Sequence, residues 1–300
     1  MKAFACDHHA VPLPRGHQFP IEKYPLLRQA VVEAGVLRAE DILEPHLATD
    51  GQILRVHHRD YLEKVKTGRL TTMELRRIGL PWSSELVRRA RCSVGATIGA
   101  CRAAVRDGAA VNLAGGTHHA FRNHGQGYCI FNDCVIAVRV LQAEKTVCGA
   151  VILDGDVHQG NGTAAIAADD PTIFTFSLHC ESNFPLRKER SDLDIGLPDG
   201  TGDAVYLEAW ELGVRRALSL SRVDLAVFLA GADPYEGDRL GRLAVSKSGL
   251  DRRDRLVFEL CGRAGIPVAT VMAGGYARSV EDTVEIHLQT IRLAAQSVHR

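Results

Sequence analysis

Apolar positions in this chain settle into a strand-and-helix alternation from residue 83 onward. Residues 83–106 repeat apolar and small side chains at helical spacing, which predicts a long helix with a close-packing side at Gly95, Ala96, Gly99 and Ala100. Short, nearly continuous apolar runs at 109–113, 147–153, 172–177, 224–229 and 267–273 then predict strands buried on both faces. Between and after them, helical spacing predicts helices near 131–144, 159–168, 202–220, 249–264 and 279–295. That alternation predicts a single-domain α/β fold, a doubly wound parallel sheet with helices on both faces. Upstream, residues 2–6 read as a short strand, 22–37 as a helix, 49–66 as two short helical segments and 70–82 as irregular. The Pro/Gly-rich stretch 11–20, after Asp7-His8-His9, has neither period, so it is either ordered by something else or mobile. No linker or internal repeat interrupts the chain, which makes residues 1–300 one domain.

Polar residues with chemistry gather just after those strands. The first is followed by Gly115-Gly116-Thr117-His118-His119 and the second by Asp154-Gly155-Asp156-Val157-His158. The fourth is followed by Gly231-Ala232-Asp233 and the last by Gly274-Gly275-Tyr276. In open α/β sheets, ligands bind outside the carboxyl ends of the strands, so four strand ends deliver these groups to one rim. Along an extended chain Asp154, Asp156 and His158 lie on one side and converge on one point. Carboxylates with an imidazole suit zinc or another divalent first-row ion. Capping of the helix that starts near Gln159 accounts for one carboxylate but not for two and a histidine. With Asp156, His158 and Asp233 as ligands, free positions on the ion take a water and a carbonyl oxygen, as amide hydrolysis needs. His118 and His119 are then candidate bases, oriented through their second ring nitrogens by Asp154 or Asn161. Tyr276, behind two glycines, is placed to donate to an oxyanion.

Composition narrows the class without choosing the substrate. Lys+Arg 36 against Asp+Glu 36 gives a formal net charge of +0, which offers no bulk attraction for nucleic acid or an acidic membrane. No apolar run approaches the ~20 residues of a bilayer crossing, and none resembles a leader, so the expected location is cytoplasmic. Eight scattered cysteines without a Cys-x-x-Cys read as reduced, mostly buried thiols. Six of the 13 histidines stand in adjacent pairs. His57-His58 precede a helical stretch, where packing at a helix start is their expected role.

Five stretches together resemble the zinc-dependent histone deacetylase superfamily, most closely its class IV branch and bacterial relatives. They are Gly-Thr-His-His-Ala from Gly116, Gly-Tyr-Cys-Ile-Phe-Asn-Asp from Gly127, and Asp-Gly-Asp-Val-His-Gln-Gly-Asn-Gly-Thr from Asp154. The others are Ala-Gly-Ala-Asp-Pro-Tyr-Glu-Gly-Asp-Arg-Leu-Gly from Ala230 and Gly-Gly-Tyr from Gly274. The resemblance implies an arginase-like fold and removal of an acyl group from a lysine side-chain amide in a protein or peptide. It also implies one catalytic zinc on Asp156, His158 and Asp233, with His118, His119 and Tyr276 as catalytic residues. It further implies a potassium ion held by the Asp154 carboxylate, by carbonyls of Asp154, Asp156, His158 and Leu178, and by the Ser177 hydroxyl. Gly127, Tyr128 and Leu240 would line the substrate channel.

Two features set this chain apart from the general pattern. Asn161 stands where some members have an Asp partner for the second histidine. Residues 76–82 hold no acidic residue, where many members place an Asp that grips the peptide backbone. Relatives that prefer acetylated polyamines carry a Glu seven residues after the last metal-binding Asp; here that residue is Leu240, a neutral gate. Acetylpolyamines or other small acyl-amines are the alternative substrates. A di-manganese ureohydrolase, which would need an Asp-x-His-x-Asp order and more carboxylates, and a catalytically silent acyl-lysine binding module are the rival readings.

Overall fold

In a computed structural model, which describes residues 1–9, 11–14, 16–219 and 223–298, every residue of the strand Ala150–Asp154 is buried. Ala150 and Ile152 join one apolar cluster, while Val151 and Leu153 join a second on the opposite face. A continuous apolar run thus becomes a strand covered on both sides. The described elements in chain order are β1 (Lys2–Phe4), α1 (Lys23–Glu33), β2 (Ile42–Leu43), α2 (Asp50–Ile53), α3 (Arg59–Thr67), α4 (Thr72–Ile78), α5 (Ser84–Asp107) and β3 (Ala109–Asn112). They continue with α6 (Asp133–Ala143), β4 (Ala150–Asp154), α7 (Asn161–Ala167), β5 (Ile173–Cys180), β6 (Leu193–Leu197) and α8 (Asp203–Ser219). The last are β7 (Leu225–Leu229), α9 (Lys247–Ala264), β8 (Val268–Val271) and α10 (Val280–Ser297).

The strands form one eight-stranded sheet in the order β2-β1-β3-β8-β7-β4-β5-β6, and every pairing is parallel. Apolar faces of α5 and α6 cover one side of the sheet; α1, α8, α9 and α10 cover the other. This is a single-domain, doubly wound α/β fold, as the alternation predicts. The strands β3, β8, β7 and β4 are consecutive neighbours in the sheet. The four strand ends bearing the polar groups therefore open side by side over its middle.

Sequence and structure differ over residues 70–82 and at two strands, and the structure decides between the two alternatives left open for residues 11–20. Residues 70–82 are not irregular: α4 lies within them, its start fixed by a capping box in which Thr71 and Glu74 exchange side-chain and backbone bonds. The strands β2 and β6 went unforeseen because the first has two residues and the second, Leu-Asp-Ile-Gly-Leu, is a partly exposed edge strand. The stretch 11–20 is tied down by its neighbours: His17 Nε2 donates to the Gly79 carbonyl at 3.0 Å, and Phe19 packs on Tyr24 and Tyr128. Arg15 of that stretch and Leu220, the last residue of the helix expected over 202–220, lie outside the described residues. His57 is buried and accepts from the Asn132 N–H at 2.9 Å, a packing role. All eight cysteines are free and only Cys148 is exposed. Among the described residues, no helix is long and apolar enough to cross a membrane.

Candidate active site

Asp156, His158 and Asp233 bring one ligand atom each to within 4.8 Å of one another, and all three are buried. Asp154 is not in this group. The strand β4 ends at Asp154, the chain leaves the extended state there, and strict alternation no longer applies. Asp156 and His158 come from the turn after β4, and Asp233 from the turn after the neighbouring β7. Backbone N–H groups hold the carboxylates: Gly274 N donates to Asp156 Oδ2 at 2.7 Å and Val157 N to Asp233 Oδ1 at 2.9 Å. A Cβ on Gly274 would collide with both carboxylates, so this close approach requires glycine.

One atom of the group is unaccounted for. Asp233 Oδ2 is buried without a hydrogen-bond partner, facing His158 Nδ1 at 3.2 Å. Burial and the neighbouring Asp156 charge push the Asp233 carboxyl up to about 7. Burial pulls His158 down, yet Asp156 and Asp233 outweigh it and raise the imidazole to about 10. An orphan carboxylate oxygen, a second carboxylate and an imidazole converge here on one buried point. The donor set fits a divalent first-row ion.

The tandem histidines stand over this group on the turn after β3. His118 Nδ1 lies 2.7 Å from Asp154 Oδ2, and His119 Nδ1 lies 2.7 Å from Asn161 Oδ1. Both partners are acceptors, so each ring donates from Nδ1 and turns Nε2 toward the site. The partners differ in charge, and the rings respond. For His118, burial is outweighed by the Asp154 and Asp156 carboxylates, and its pKa rises to about 9. For His119, burial and the charges of His118 and His158 hold the ring well below the ordinary range. The β4–β5 register sets Asp154 opposite Ser177. Ser177 Oγ also meets His179 Nδ1 at 3.0 Å.

A cavity of about 510 Å³ leads down to these groups, lined by Gly127, Tyr128, Leu240 and Tyr276 together with His118, His119, Asp156 and His158. Tyr128 adopts φ 65°, held there by its N–H to the Ile78 carbonyl at 2.7 Å, while Gly127 N donates to Arg77 at 3.1 Å. The end of α4 therefore seats one channel wall. Phe184 forms another, its ring 5.0 Å from that of His119 in an edge contact. Sequence reading missed Phe184; its one signal was an aromatic exposed beside a proline after β5. The mouth carries Arg76, Arg77 and Arg242, and its only lining carboxylate among the described residues is Asp156, on the floor. Asp238 is buried and capped by the N–H groups of Leu240, Gly241 and Tyr276, and Glu236 does not line the cavity.

Two further residues frame the site. Asp133 accepts from the N–H groups of Gly116 and Thr117 at 3.0 and 2.8 Å, which fixes the turn bearing both histidines. Arg253 is fully buried on α9 and donates to the Gly155 and Gly231 carbonyls at 3.1 and 2.6 Å, with Asp254 at 2.7 Å as its counter-charge. It thus ties together the turns that carry Asp156 and Asp233. An Arg-Asp pair on an amphipathic helix gives no sign in sequence that it points inward.

The Histone deacetylase domain matches residues 17–291, most of the chain. The chain belongs to the histone deacetylase family. An uncharacterized protein of Picosynechococcus sp. is 46% identical over 97% of both chains. Histone deacetylase 2 of Arabidopsis thaliana is 29% identical over 90% of this chain and 73% of its own. The acetoin utilization protein AcuC of Bacillus subtilis is 29% identical over 79% and 67%. Among solved structures, an HDAC homolog complexed with SAHA superposes with a TM-score of 0.86 at 20% identity over 100% of this chain and 84% of that one. The HDAC homolog from Aquifex aeolicus gives 0.83 at 20% over the same shares. These likenesses establish the arginase-like fold of the family. The family is one of deacetylases, generally zinc-dependent.

Proposed function

We propose that the protein is a zinc-dependent deacylase of lysine side-chain amides, with Asp156, His158 and Asp233 holding one catalytic zinc. The observation that carries this reading is the orphan Asp233 Oδ2 in a buried three-ligand group directly beneath a histidine pair with differently charged partners. When bound there, a zinc ion supplies Lewis acidity toward the amide carbonyl and lowers the pKa of a water. The chain's own residues do the rest. His119, neutral and oriented by Asn161, takes the water's proton at Nε2 and returns it to the leaving amine. His118, charged against Asp154, stabilises the anionic tetrahedral state, and the Tyr276 hydroxyl donates to its oxygen. Tyr128, Phe184 and Leu240 sheath the uncharged lysine stem. A potassium ion in the cradle at Asp154, Asp156, His158, Ser177 and Leu178 would be structural.

The mouth supports lysine over polyamines. Leu240 is uncharged, Asp238 is consumed by backbone donors, and Arg76 and Arg77 repel a second ammonium, while Arg242 pairs with Asp199. A two-manganese site is not favoured, because Asp154 is committed to His118 and Asp238 to three backbone N–H groups. A silent binding module would not need two histidines with separately fixed tautomers.

The test has two arms. Zinc-loaded protein should turn over an acyl-lysine peptide with higher kcat/KM than N-acetylated spermidine or putrescine; faster cleavage of the polyamines would overturn the substrate. Asp233→Ala should lose one zinc per chain and fall to background turnover, since a three-ligand site cut to two loses most of its affinity. Undiminished zinc in that variant would remove Asp233 from the ligand set.

A further inference from the structure

His8 and His9 lie far from the catalytic histidines in sequence, and the proposed chemistry makes no use of them. With Cys92 they form the other group among the described residues whose metal-ligating atoms all lie within 4.8 Å of one another. Three elements contribute. The histidines follow β1, and the His9 N–H closes a turn onto the Cys6 carbonyl at 3.2 Å. Cys92 projects from α5 and is fully buried against Cys6 and Ala96. Glu44, after β2, meets His8 Nε2 at 2.9 Å. Of the two arginines near the group, Arg88 and Arg89, the second donates to the Cys6 carbonyl at 2.8 Å and lies 4.4 Å over the Tyr24 ring.

We propose that His8, His9 and Cys92 bind a second zinc ion, separate from the catalytic site. Two imidazoles and a thiolate are a borderline-soft donor set that selects zinc over magnesium, calcium or manganese. Cys92, packed against Cys6, gives up its proton on binding. Glu44 behind His8 matches the carboxylate–histidine pairing that fixes a ligating ring. The ion would anchor the root of the segment whose far end reaches the channel. There His17 bonds the Gly79 carbonyl and Phe19 lies 5.2 Å from Tyr128 and 6.4 Å from Tyr276, ring to ring. The role is structural, because no channel-lining residue belongs to the group.

Full-length protein is equilibrated with zinc, freed of excess and analysed for metal. Wild type should retain two zinc ions per chain, while Asp233→Ala and the double variant His8→Ala/His9→Ala should each retain one. Cobalt(II) in the Asp233→Ala background adds a spectroscopic readout. A thiolate-to-cobalt charge-transfer band should appear there and vanish with Cys92→Ser, since the catalytic ligand set contains no sulfur. The exposed His8 makes the histidine variant a control against misfolding of the buried Cys92→Ser. Wild-type zinc that stays at one per chain, a count unchanged by His8→Ala/His9→Ala, or cobalt-loaded Asp233→Ala protein without the sulfur band would each overturn the proposal. None of these results touches the catalytic assignment, which Asp233→Ala turnover reads separately.

Discussion

The rings of His118 and His119 sit 4.1 Å apart at 49°, and those of His8 and His9 sit 4.1 Å apart at 50°. Each pair follows a parallel strand, β3 for the first and the adjoining β1 for the second. Adjacency in sequence sets the ring spacing; everything else comes from position in the sheet. The strand β3 is flanked by β1 and β8, and its pair lies 3–4% exposed against a buried carboxylate and a buried amide. The strand β1 has only two-residue β2 outside it, and its pair opens to solvent beside Glu44, which is 70% exposed at its side chain. Low dielectric lets Asp154 raise the affinity of the buried His118 for a proton. On the roles proposed above, one dipeptide would serve acid–base chemistry in the centre and metal ligation at the edge.

The comparison breaks most severely at Arg253. Arg253→Met should strand the buried Asp254 charge and release the Gly155 and Gly231 carbonyls, costing about 3–5 kcal/mol in denaturant unfolding. Metal affinity at Asp156 and Asp233 should fall with it, while the His8–His9 group, which Arg253 does not touch, keeps its ion. Equal loss at both groups would show that the frame is shared.

Next comes Tyr276→Phe, which leaves both histidine pairs intact. It should lower kcat by roughly 10²–10³, with zinc content and fold unchanged, as removal of one oxyanion donor does. Activity within a few-fold of wild type would make Tyr276 a packing residue.

A smaller loss is expected from the partners behind the rings. Asp154→Asn and Asn161→Ala should each cost about 10–100-fold in kcat, in line with the loss of a group that orients a reacting imidazole. Asn161→Asp, which gives the second ring the carboxylate that the first already has, should move the pH profile of kcat/KM upward by stabilising the protonated His119. An unmoved profile would argue against His119 as the base.

The smallest change is Leu240→Glu at the mouth. It should shift the ratio of acetylpolyamine to acyl-lysine turnover several-fold toward polyamines without altering zinc, read from paired kcat/KM values. A constant ratio would place substrate choice with Arg76, Arg77 and Arg242 instead.

What the sequence by itself determined is the alternation of buried strands and helices, and with it the strand ends after which His118, Asp156, Asp233 and Tyr276 had to emerge. Those features are local: apolar runs, glycines and polar residues a few positions apart report them directly. The same locality misled at 70–82, where Thr71 and Glu74 were a readable helix start within a stretch that looked irregular. Tertiary structure decided the rest. It made β3, β8, β7 and β4 neighbours, sent Asp154 to His118 and left Asp233 Oδ2 without a partner. It turned Arg253 inward under two turns nearly a hundred and some twenty residues away, and carried Cys92 on α5 to the histidines after β1. Each of these depends on which groups share a buried, low-dielectric space, and sequence separation carries no record of that.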